Sequence, residues 1–310
     1  MLKAVLLMRV LPVVATVMLT TTALAIAGRP ASAGRAHLPD LVQELPSELE
    51  ITVTGPASRP VYRLGFRSAV SNVGRGPLVI SGRRASADAA TMTADQVIDR
   101  AGAPRQVVRH VGRLRYVVSP DHRHWHLLGF DRYQLRPAGE PAATVSDRKT
   151  GFCLGDRYKA VGRKLRAHRR EPVYTSRCGL GEPGLMGVQE GISVGYGDDY
   201  AATLEGQYLR LTGLSSGRYV LVHHVNADRR LRELRYGNNA ASLLLELRWR
   251  KHQPSVRVVR SCPDSAKCDR RSPARRRRGV RRRAALCGRE QRAARDEDER
   301  RRSVDLSRSR

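Results

Sequence analysis

Short runs in which apolar and polar residues alternate recur along much of the chain. The clearest is YRLGFRSAVSNVG, residues 62–74, where the alternation ends in Asn-Val-Gly and therefore predicts a strand that leads into a turn. The same pattern predicts further extended segments at residues 78–80, 105–110, 114–119, 121–135, 207–211, 218–226 and 242–249. Helical periodicity is scarce. Many short strands at this spacing predict a mainly β protein, an antiparallel β-sandwich or a barrel.

The segments between these runs carry weaker signals. Gly213 and Gly217 lie between segments 207–211 and 218–226, and that turn chemistry predicts a hairpin. Residues 35–60 contain prolines and little alternation, so we expect a strap over the domain. Residues 159–191 lack a pattern. Because long unpatterned loops in compact domains often carry function, we expect long loops to carry the functional site.

The amino-terminal end is typical of a secreted protein. Lys3 and Arg9 precede an apolar stretch, residues 10–27, and Ala-Ser-Ala follows at residues 31–33, as in a secretory signal peptide with a small-x-small cleavage site. We expect residues 1–33 to be removed, leaving an extracellular chain that is not transmembrane. The alternative is an uncleaved membrane anchor, which the proline and threonines of the stretch disfavour.

The carboxy-terminal segment, residues 251–310, is strongly basic. It holds 21 Lys and Arg against 8 Asp and Glu, an excess of 13 positive charges, which is nearly half of the chain's formal net charge of +28. Apolar residues are too sparse there to bury, so we expect a disordered tail after a globular domain at residues 34–250. Such a tail could contact anionic polymers, although no recognised nucleic-acid-binding module accompanies it. An equal alternative is an out-of-frame read of a high-GC gene end.

Five cysteines in a secreted chain are interpreted first as disulfide partners. Cys153 and Cys178 lie inside the globular region, and Cys262 and Cys268 are close enough in sequence to close a small loop. Cys287 is left over. This pairing rests on proximity in sequence alone.

The pentapeptide HRHWH contains His122, His124 and His126. In a strand, side chains two residues apart lie on one face, so one metal ion could bind all three imidazoles. Imidazole nitrogen suits copper, zinc or nickel, and the order of affinities puts copper highest. The alternative is a solvated edge strand, but Trp125 and Leu127 on the opposite face favour a core strand.

Two further segments follow: DRKTGFCLGD, which contains Lys149, and GISVGYGDDY, which ends at Tyr200. Alone, such a lysine is usually a solvated charge and such a tyrosine a loop anchor. Together with HRHWH, and in this order along the chain, these two segments resemble the catalytic domain of the lysyl oxidase family. The same resemblance includes the segments LPDLV, LGFRSAVSNVGRGPL and YVLVHHVNADRRLRELRYGNN. The resemblance runs from residue 38 to about residue 239, nearly the whole globular region.

This resemblance implies a secreted copper-dependent amine oxidase. His122, His124 and His126 match the copper ligands of the family. Lys149 and Tyr200 match the residues that become its lysine tyrosylquinone cofactor. Through that cofactor, primary amines, either peptidyl lysine or small amines, become aldehydes with O2 as oxidant, and H2O2 and ammonia are released. Because a free lysine is protonated near neutral pH, the site must desolvate or deprotonate Lys149 before it reacts.

The nearest carboxylates to Tyr200 in the sequence are Asp198 and Asp199. A carboxylate is the natural base for the substrate α-proton. We nevertheless expect both aspartates to be turn formers that hydrogen-bond the backbone.

The resemblance also implies a possible calcium site. The matching oxygen donors, which suit a hard cation, are Asp40, the Leu41 carbonyl, Glu233, Asn238 and Asn239. Where the animal enzymes have an aspartate two residues after that glutamate, this chain has Arg235. The alternative is that the Asn-Asn pair forms a hairpin turn.

A second functional hypothesis is a secreted copper-binding β-sandwich that holds the ion on the three histidines but never forms the quinone. It gives no role to Lys149, and the retained spacing of Lys149 before FCL and of Tyr200 after GYGDD argues against it. The animal enzymes are richer in disulfides, and one of their cysteines precedes the copper motif, where this chain has Asp121. With these departures from the animal enzymes, the chain resembles a compact bacterial relative of the family.

Overall fold

A computed structural model describes residues 34–120, 122–142, 145–146, 151–168, 171–204 and 206–269. Within these ranges the chain forms strands and no α-helix, which confirms the mainly β prediction. The strands are β1 (Leu41–Gln43), β2 (Ser47–Thr54), β3 (Val61–Asn72), β4 (Leu78–Arg83), β5 (Thr91–Arg100), β6 (Ala103–Val118), β7 (Arg123–Leu127), β8 (Asp131–Pro137), β9 (Val145–Ser146), β10 (Tyr158–Lys159), β11 (Gly187–Ile192), β12 (Tyr196–Tyr200), β13 (Tyr208–Arg210), β14 (Gly217–Val225), β15 (Ala240–Arg250) and β16 (Gln253–Cys262).

Some sequence predictions fall outside these ranges. They concern the signal peptide at residues 1–33, Cys287 and the part of the basic tail after residue 269. Among the described residues there is no helix of the length and apolar character needed to cross a membrane.

The strands form three sheets in which each pairing is antiparallel. The first sheet has the order β1-β3-β12-β10, and β2 and β13 also pair with β3. The second sheet is β11-β4-β5-β6-β7, and the third is β16-β15-β14-β8-β9. One hydrophobic cluster contains Phe66 of β3, Leu114 of β6 and Leu221 of β14. The three sheets therefore share a single core.

The strand predicted at residues 62–74 is β3, and it organises the first sheet. Different parts of β3 pair with β1, β2, β12 and β13, so four other strands are placed by one. In this register Tyr200, the last residue of β12, lies opposite Ser68. The position of Tyr200 is thus fixed by the pairing of β12 with a central strand.

The predicted hairpin between segments 207–211 and 218–226 was wrong. β13 pairs with β3, whereas β14 pairs with β8 and β15. Tyr62 at the start of β3 explains the difference: its N–H donates to Thr212 Oγ1 at 2.7 Å, and its carbonyl accepts from the Leu211 N–H at 2.9 Å. These bonds hold β13 and the turn after it on β3.

Residues 105–110 and 114–119 were predicted as two strands and belong to one, β6. The pairing of β5 with β6 shifts register between Ala94 and Gln96, and His110 there has a φ of 57°. The His110 N–H donates to Asp95 Oδ1 at 2.8 Å, which satisfies the irregular backbone. This bulge interrupts the alternation and made one strand look like two. The expected strap at residues 35–60 also contains two strands, β1 and β2.

The domain continues past residue 250, where we placed the start of a disordered tail. β16 pairs with β15 along its length, and Cys262 and Cys268 form the predicted small-loop disulfide. Asp269 accepts from both terminal nitrogens of Arg136, at 2.8 and 2.9 Å, and these bonds hold the pKa of Asp269 well below its usual range. β16 is an edge strand with one face against the protein, so it folds with few apolar residues.

Replacing Asp269 tests whether this segment belongs to the folded domain. Because hydrogen bonds to charged groups contribute roughly 1.5–3 kcal/mol, Asp269→Asn should lower the free energy of unfolding by about 2 kcal/mol, measured by urea denaturation. The control is Asp228→Asn, which removes the more exposed Arg132 pair and should cost at most about 1 kcal/mol. Equal losses in the two variants would contradict a structural role for residues 251–269.

His223 of β14 is enclosed in the core. Its ring lies between Phe66 and Tyr133, at centroid distances of 4.7 and 4.5 Å. Neither ring nitrogen has a hydrogen-bond partner among the described residues. Burial lowers the pKa of His223 to about 3, because an uncompensated imidazolium is strongly disfavoured away from water. The folded domain therefore holds this histidine neutral.

This burial predicts a loss of stability in mild acid. Below the ordinary pKa of 6.5 the unfolded chain binds a proton at His223 that the folded chain does not, so stability falls as pH falls towards 3. The contribution is about 1.4 kcal/mol per pH unit. Between pH 6.5 and about pH 5, the free energy of unfolding of the unsubstituted chain should therefore fall by roughly 2 kcal/mol more than that of His223→Leu. Urea denaturation at the two pH values measures this difference. Parallel losses would show that the buried ring accepts protons.

Candidate active site

β7 carries the histidine motif and is hydrogen-bonded along both edges. On one side it pairs with β6. On the other, the Trp125 N–H donates to the Cys178 carbonyl at 2.9 Å, and Leu127 and Phe152 exchange backbone hydrogen bonds. Cys153 and Cys178 form the other predicted disulfide. This disulfide joins the two loops that close the second edge of β7.

His122, His124 and His126 converge at this strand. Each offers one ring nitrogen, and the three nitrogens lie within 4.8 Å of one another. His122 and His126 are buried, while His124 is half-buried. Trp125 and Leu127 are buried, as expected for a core strand rather than a solvated edge. Three neighbouring imidazoles fit the donor preference of copper, zinc or nickel, with copper highest in affinity.

Tyr200 lies beside the three histidines. Its ring centroid is 6.2 Å from that of His122 and 4.5 Å from that of Phe152. Its hydroxyl accepts a hydrogen bond from the Cys153 N–H at 2.7 Å. Burial, with a smaller effect of the Asp198 carboxylate, raises the pKa of Tyr200 well above 10, so its phenol is protonated near neutral pH.

His122, His124 and Tyr200 line one cleft of about 400 Å³. Its lining comprises His122, His124, Cys153, Arg157, Arg177, Leu180, Asp198, Asp199, Tyr200 and Leu204. Arg177 and Leu180 belong to the stretch 159–191, where we expected functional loops, whereas Arg157 lies just before it. The cleft is large enough for an extended amine side chain.

Asp198 and Asp199 were expected in a turn, and both lie in strand β12. Asp198 is buried, with Oδ1 3.7 Å from Arg157 Nε. Asp199 Oδ2 accepts from Arg67 Nε and Nη2 at 2.9 and 2.6 Å. Asp198 and Tyr200 are two residues apart in the strand and so share a face. Asp198 is therefore the carboxylate on the Tyr200 face of β12.

Lys149 lies outside the described residues. Gly151, Phe152 and Cys153, which follow it closely, are described and contact β7 and Tyr200. The predicted partnership of Lys149 with Tyr200 is thus not tested by contacts.

Two charged residues of this region, the buried Glu190 and the exposed Arg157, were missed from the sequence. Glu190 on β11 accepts from the Leu154 N–H at 3.3 Å, and complete burial raises its pKa well above 4.5. Arg157 donates to the Ser176 carbonyl at 3.2 Å and to Cys153 Sγ at 3.3 Å. Neither belongs to a recognisable pattern, because their neighbours come from distant parts of the chain.

The residues of the possible calcium site are also brought together. The Leu41 N–H donates to Glu233 Oε2 at 2.9 Å, Asn238 Nδ2 donates to Asp40 Oδ1 at 2.8 Å, and Asn239 Nδ2 donates to Glu233 Oε1 at 2.7 Å. Burial, with a smaller effect of Asp40, raises the pKa of Glu233 to about 7. Asn238 and Asn239 end the long connection between β14 and β15, so they do not form a tight two-residue hairpin.

This set does not fit a Ca²⁺ ion. Asp40 Oδ2 accepts from Arg166 Nε at 2.8 Å and from Arg235 Nε at 3.1 Å. Two guanidinium groups thus stand beside the Asp40 carboxylate, and their positive charges exceed its single negative charge. Ca²⁺ sites combine their oxygen ligands with a net negative charge, and the two guanidinium groups beside Asp40 remove that charge here.

Comparison with known proteins agrees with these features. The sequence model of the lysyl oxidase family matches residues 105–260, about half of the chain. Protein-lysine 6-oxidase of Rattus norvegicus is 28% identical to the chain over 132 residues. That match covers 42% of this chain and 28% of the rat protein, so the chain spans well under half the length of this relative. The matched region includes the three histidines, Tyr200 and most of the cleft, and the chain belongs to the lysyl oxidase family.

Proposed function

We propose that this chain is a secreted copper-dependent amine oxidase. It converts primary amines, either peptidyl lysine or small amines, to aldehydes, consumes O2, and releases H2O2 and ammonia. The cofactor is a lysine tyrosylquinone formed from Lys149 and Tyr200. The observation that carries the proposal is the placement of the Tyr200 ring 6.2 Å from the His122 ring, in the same cleft as the metal-binding histidines.

Copper would be held by His122, His124 and His126, whose nitrogens are close enough to share one ion. When bound there, copper supplies the redox chemistry by which O2 oxidises the Tyr200 ring. Phe152 packs on that ring, and the Cys153 N–H fixes its hydroxyl, so the ring is held in one orientation before it reacts. Preorganisation of this kind is what a self-made cofactor requires of its protein.

The length of the chain between Lys149 and Cys153 permits the pairing of Lys149 with Tyr200. Lys149 precedes Cys153 by four residues, and the Cys153 N–H donates to the Tyr200 hydroxyl. Four residues span at most about 14 Å, at about 3.6 Å per residue. This limit on the separation supports the proposed pairing.

The cleft also favours deprotonation of an amine substrate. Arg157 and Arg177 line it, and a nearby positive charge lowers the pKa of an ammonium group. Asp198, on the same face of β12 as Tyr200, is the carboxylate that we assign to accept the α-proton. The substrate amine would then enter neutral and find its base within the cleft.

Secretion is supported by the cysteines. Both cysteine pairs among the described residues are disulfides, and disulfides persist in oxidising compartments. The expected signal peptide at residues 1–33 points in the same direction.

Metal binding can be tested apart from catalysis. In His124→Gln the copper content of the purified chain should fall from about one ion per molecule to well below that value, because one of three imidazole ligands is lost. Elemental analysis and the EPR spectrum of Cu(II) report the change. His168→Gln, an exposed histidine outside the motif, should leave both unchanged. Equal copper content in the two variants would exclude HRHWH as the metal site.

The quinone has its own spectroscopic signature. The copper-loaded mature chain in aerated buffer should show a visible band that shifts with phenylhydrazine, and Tyr200→Phe should abolish the band and amine-dependent H2O2 release. Tyr196→Phe is the matched control, since it removes another buried hydroxyl of β12 and should keep both signals. Lys149→Arg should also lose activity.

The same measurements also test the alternative function, a copper-binding module. Full copper binding without the band, in a folded chain, would leave a copper-binding β-sandwich without oxidase activity. Unchanged amine oxidation in Lys149→Arg would reject the assignment of Lys149 to the cofactor.

A further inference from the structure

Three segments that are distant in sequence meet at the buried carboxylate of Asp40, and we call this set of contacts the Asp40 clasp. Asp40 precedes β1, Arg166 belongs to the loop after β10, and Arg235 and Asn238 belong to the connection between β14 and β15. Their side chains bind Asp40 through three hydrogen bonds. The clasp thus ties the amino-terminal segment to two loops on the rest of the domain.

Backbone bonds surround the clasp and make its geometry specific. The Val73 N–H donates to the Asp40 carbonyl, and the Asp40 N–H donates to Asn72 Oδ1 at 3.1 Å. The Leu234 N–H donates to the Pro39 carbonyl at 2.8 Å, next to the side-chain contacts. Asp40 is therefore held in place by both its backbone and its side chain.

Electrostatics require a cation at this position. Asp40 is fully buried, and an isolated buried carboxylate is strongly disfavoured. Two guanidinium groups provide the compensation, those of Arg166 and Arg235, whose side chains keep 36% and 52% of their surface exposed. Because arginine is charged at all accessible pH values, this compensation is permanent.

The donor geometry leaves little for a metal ion. Both oxygens of Asp40 and both of Glu233 already accept hydrogen bonds. The amide oxygens of Asn238 and Asn239 are the side-chain acceptors of this set that have no partner among the described residues. These two amide oxygens, like the Leu41 carbonyl, are neutral, so the oxygens without an arginine or amide partner bring no negative charge to balance a divalent ion.

The approach to the clasp carries an excess of positive charge. A cleft of about 410 Å³ lies over it, lined by the cationic side chains Arg163, Lys164 and Arg235 and by one acid, Asp264. Arg163 is itself paired with Glu44, so the excess comes from Lys164 and from the arginines around Asp40. An excess of positive charge lowers the local concentration of cations. A free divalent cation would have to cross this field to reach Asp40.

We propose that the Asp40 clasp is a metal-free structural site in which the guanidinium groups of Arg166 and Arg235 take the place of a Ca²⁺ ion. The folded state of this chain then does not depend on calcium. Arg235 decides whether this position holds an ion pair or a calcium site, because a carboxylate in its place would remove one positive charge and add an oxygen ligand.

The test uses the copper-loaded mature chain, dialysed into calcium-free buffer, and measures Tm with and without added Ca²⁺, with Mg²⁺ as the ion control. Isothermal titration with Ca²⁺ measures binding directly. The unsubstituted chain should give the same Tm in all three solutions and no binding isotherm. Elemental analysis of the dialysed chain must show bound copper and no calcium, because a site still filled with Ca²⁺ would also give no response to added Ca²⁺.

Two variants at one position separate charge from coordination. Arg235→Gln should lower Tm by about 2–4 °C and give no response to Ca²⁺, because a half-exposed ion pair is lost and no ligand is gained. Arg235→Asp should lower Tm further in calcium-free buffer, and saturating Ca²⁺ should raise it by about 5–10 °C. If Arg235→Asp folds only when Ca²⁺ is present, its dependence on the ion counts as the expected stabilisation by Ca²⁺.

Three results would overturn the proposal: a Ca²⁺-dependent rise in Tm of the unsubstituted chain, an unchanged Tm in Arg235→Gln, or an Arg235→Asp chain that folds and ignores Ca²⁺. None of these readouts involves amine oxidation. The proposal therefore stands or falls independently of the proposed enzymatic function.

Discussion

The second edge of β7 is the constraint on which the site depends. An edge strand has unpaired N–H and C=O groups and is free to move or to pair wrongly. Here those groups bond to the backbones of Phe152 and Cys178, in loops that the Cys153–Cys178 disulfide links. Loss of that link would release both loops together. The histidines would then stand on a strand held from one side only.

The same disulfide places Tyr200 as well. The Cys153 N–H donates to the Tyr200 hydroxyl, so a residue of the first sheet is held against loops that cap a strand of the second. Catalytic groups must be kept within a fraction of an ångström, and supporting hydrogen bonds supply that precision. His122, His124 and Tyr200 line the cleft, while His126 is enclosed behind them. The site is open to a substrate at one side and rigid on the other.

How far the sequence predicted this structure depends on the range of the interactions. Alternation along β3 and the two-residue spacing of His122, His124 and His126 are local, and both were interpreted correctly. The failed hairpin depended on Tyr62, about 150 residues from its partner Thr212, and no local signal reports such a bond. The sequence also failed to predict that residues 253–262 form the folded strand β16, for a related reason. Its stability comes from pairing with β15 and from Arg136, and its own composition resembles a tail.

Recognition of motifs added what local patterns could not. It selected Tyr200 out of ten tyrosines, and the structure then placed that ring beside the histidines. It was less informative about the possible calcium ligands, because the matching residues are present and their neighbours have changed. Arg166 lies in the unpatterned loop, and its contact with Asp40 spans 126 residues. A set of matching ligands does not define a metal site unless the charged groups that contact those ligands are known as well.

The composition of the chain gives a reason for arginine at the clasp. The sequence holds 57 Lys and Arg against 29 Asp and Glu, so carboxylates are scarce relative to cationic side chains. Assembling a calcium site in such a chain would require several of these carboxylates in one place, within a field that repels the ion. An ion pair needs one acid and uses the abundant charge. The same logic applies at Arg136 and Asp269, where a terminal segment is again fixed by arginine on a single carboxylate. Both ends of the described domain are therefore fastened by the residue type that the composition supplies, and neither contact asks for a metal ion of its own.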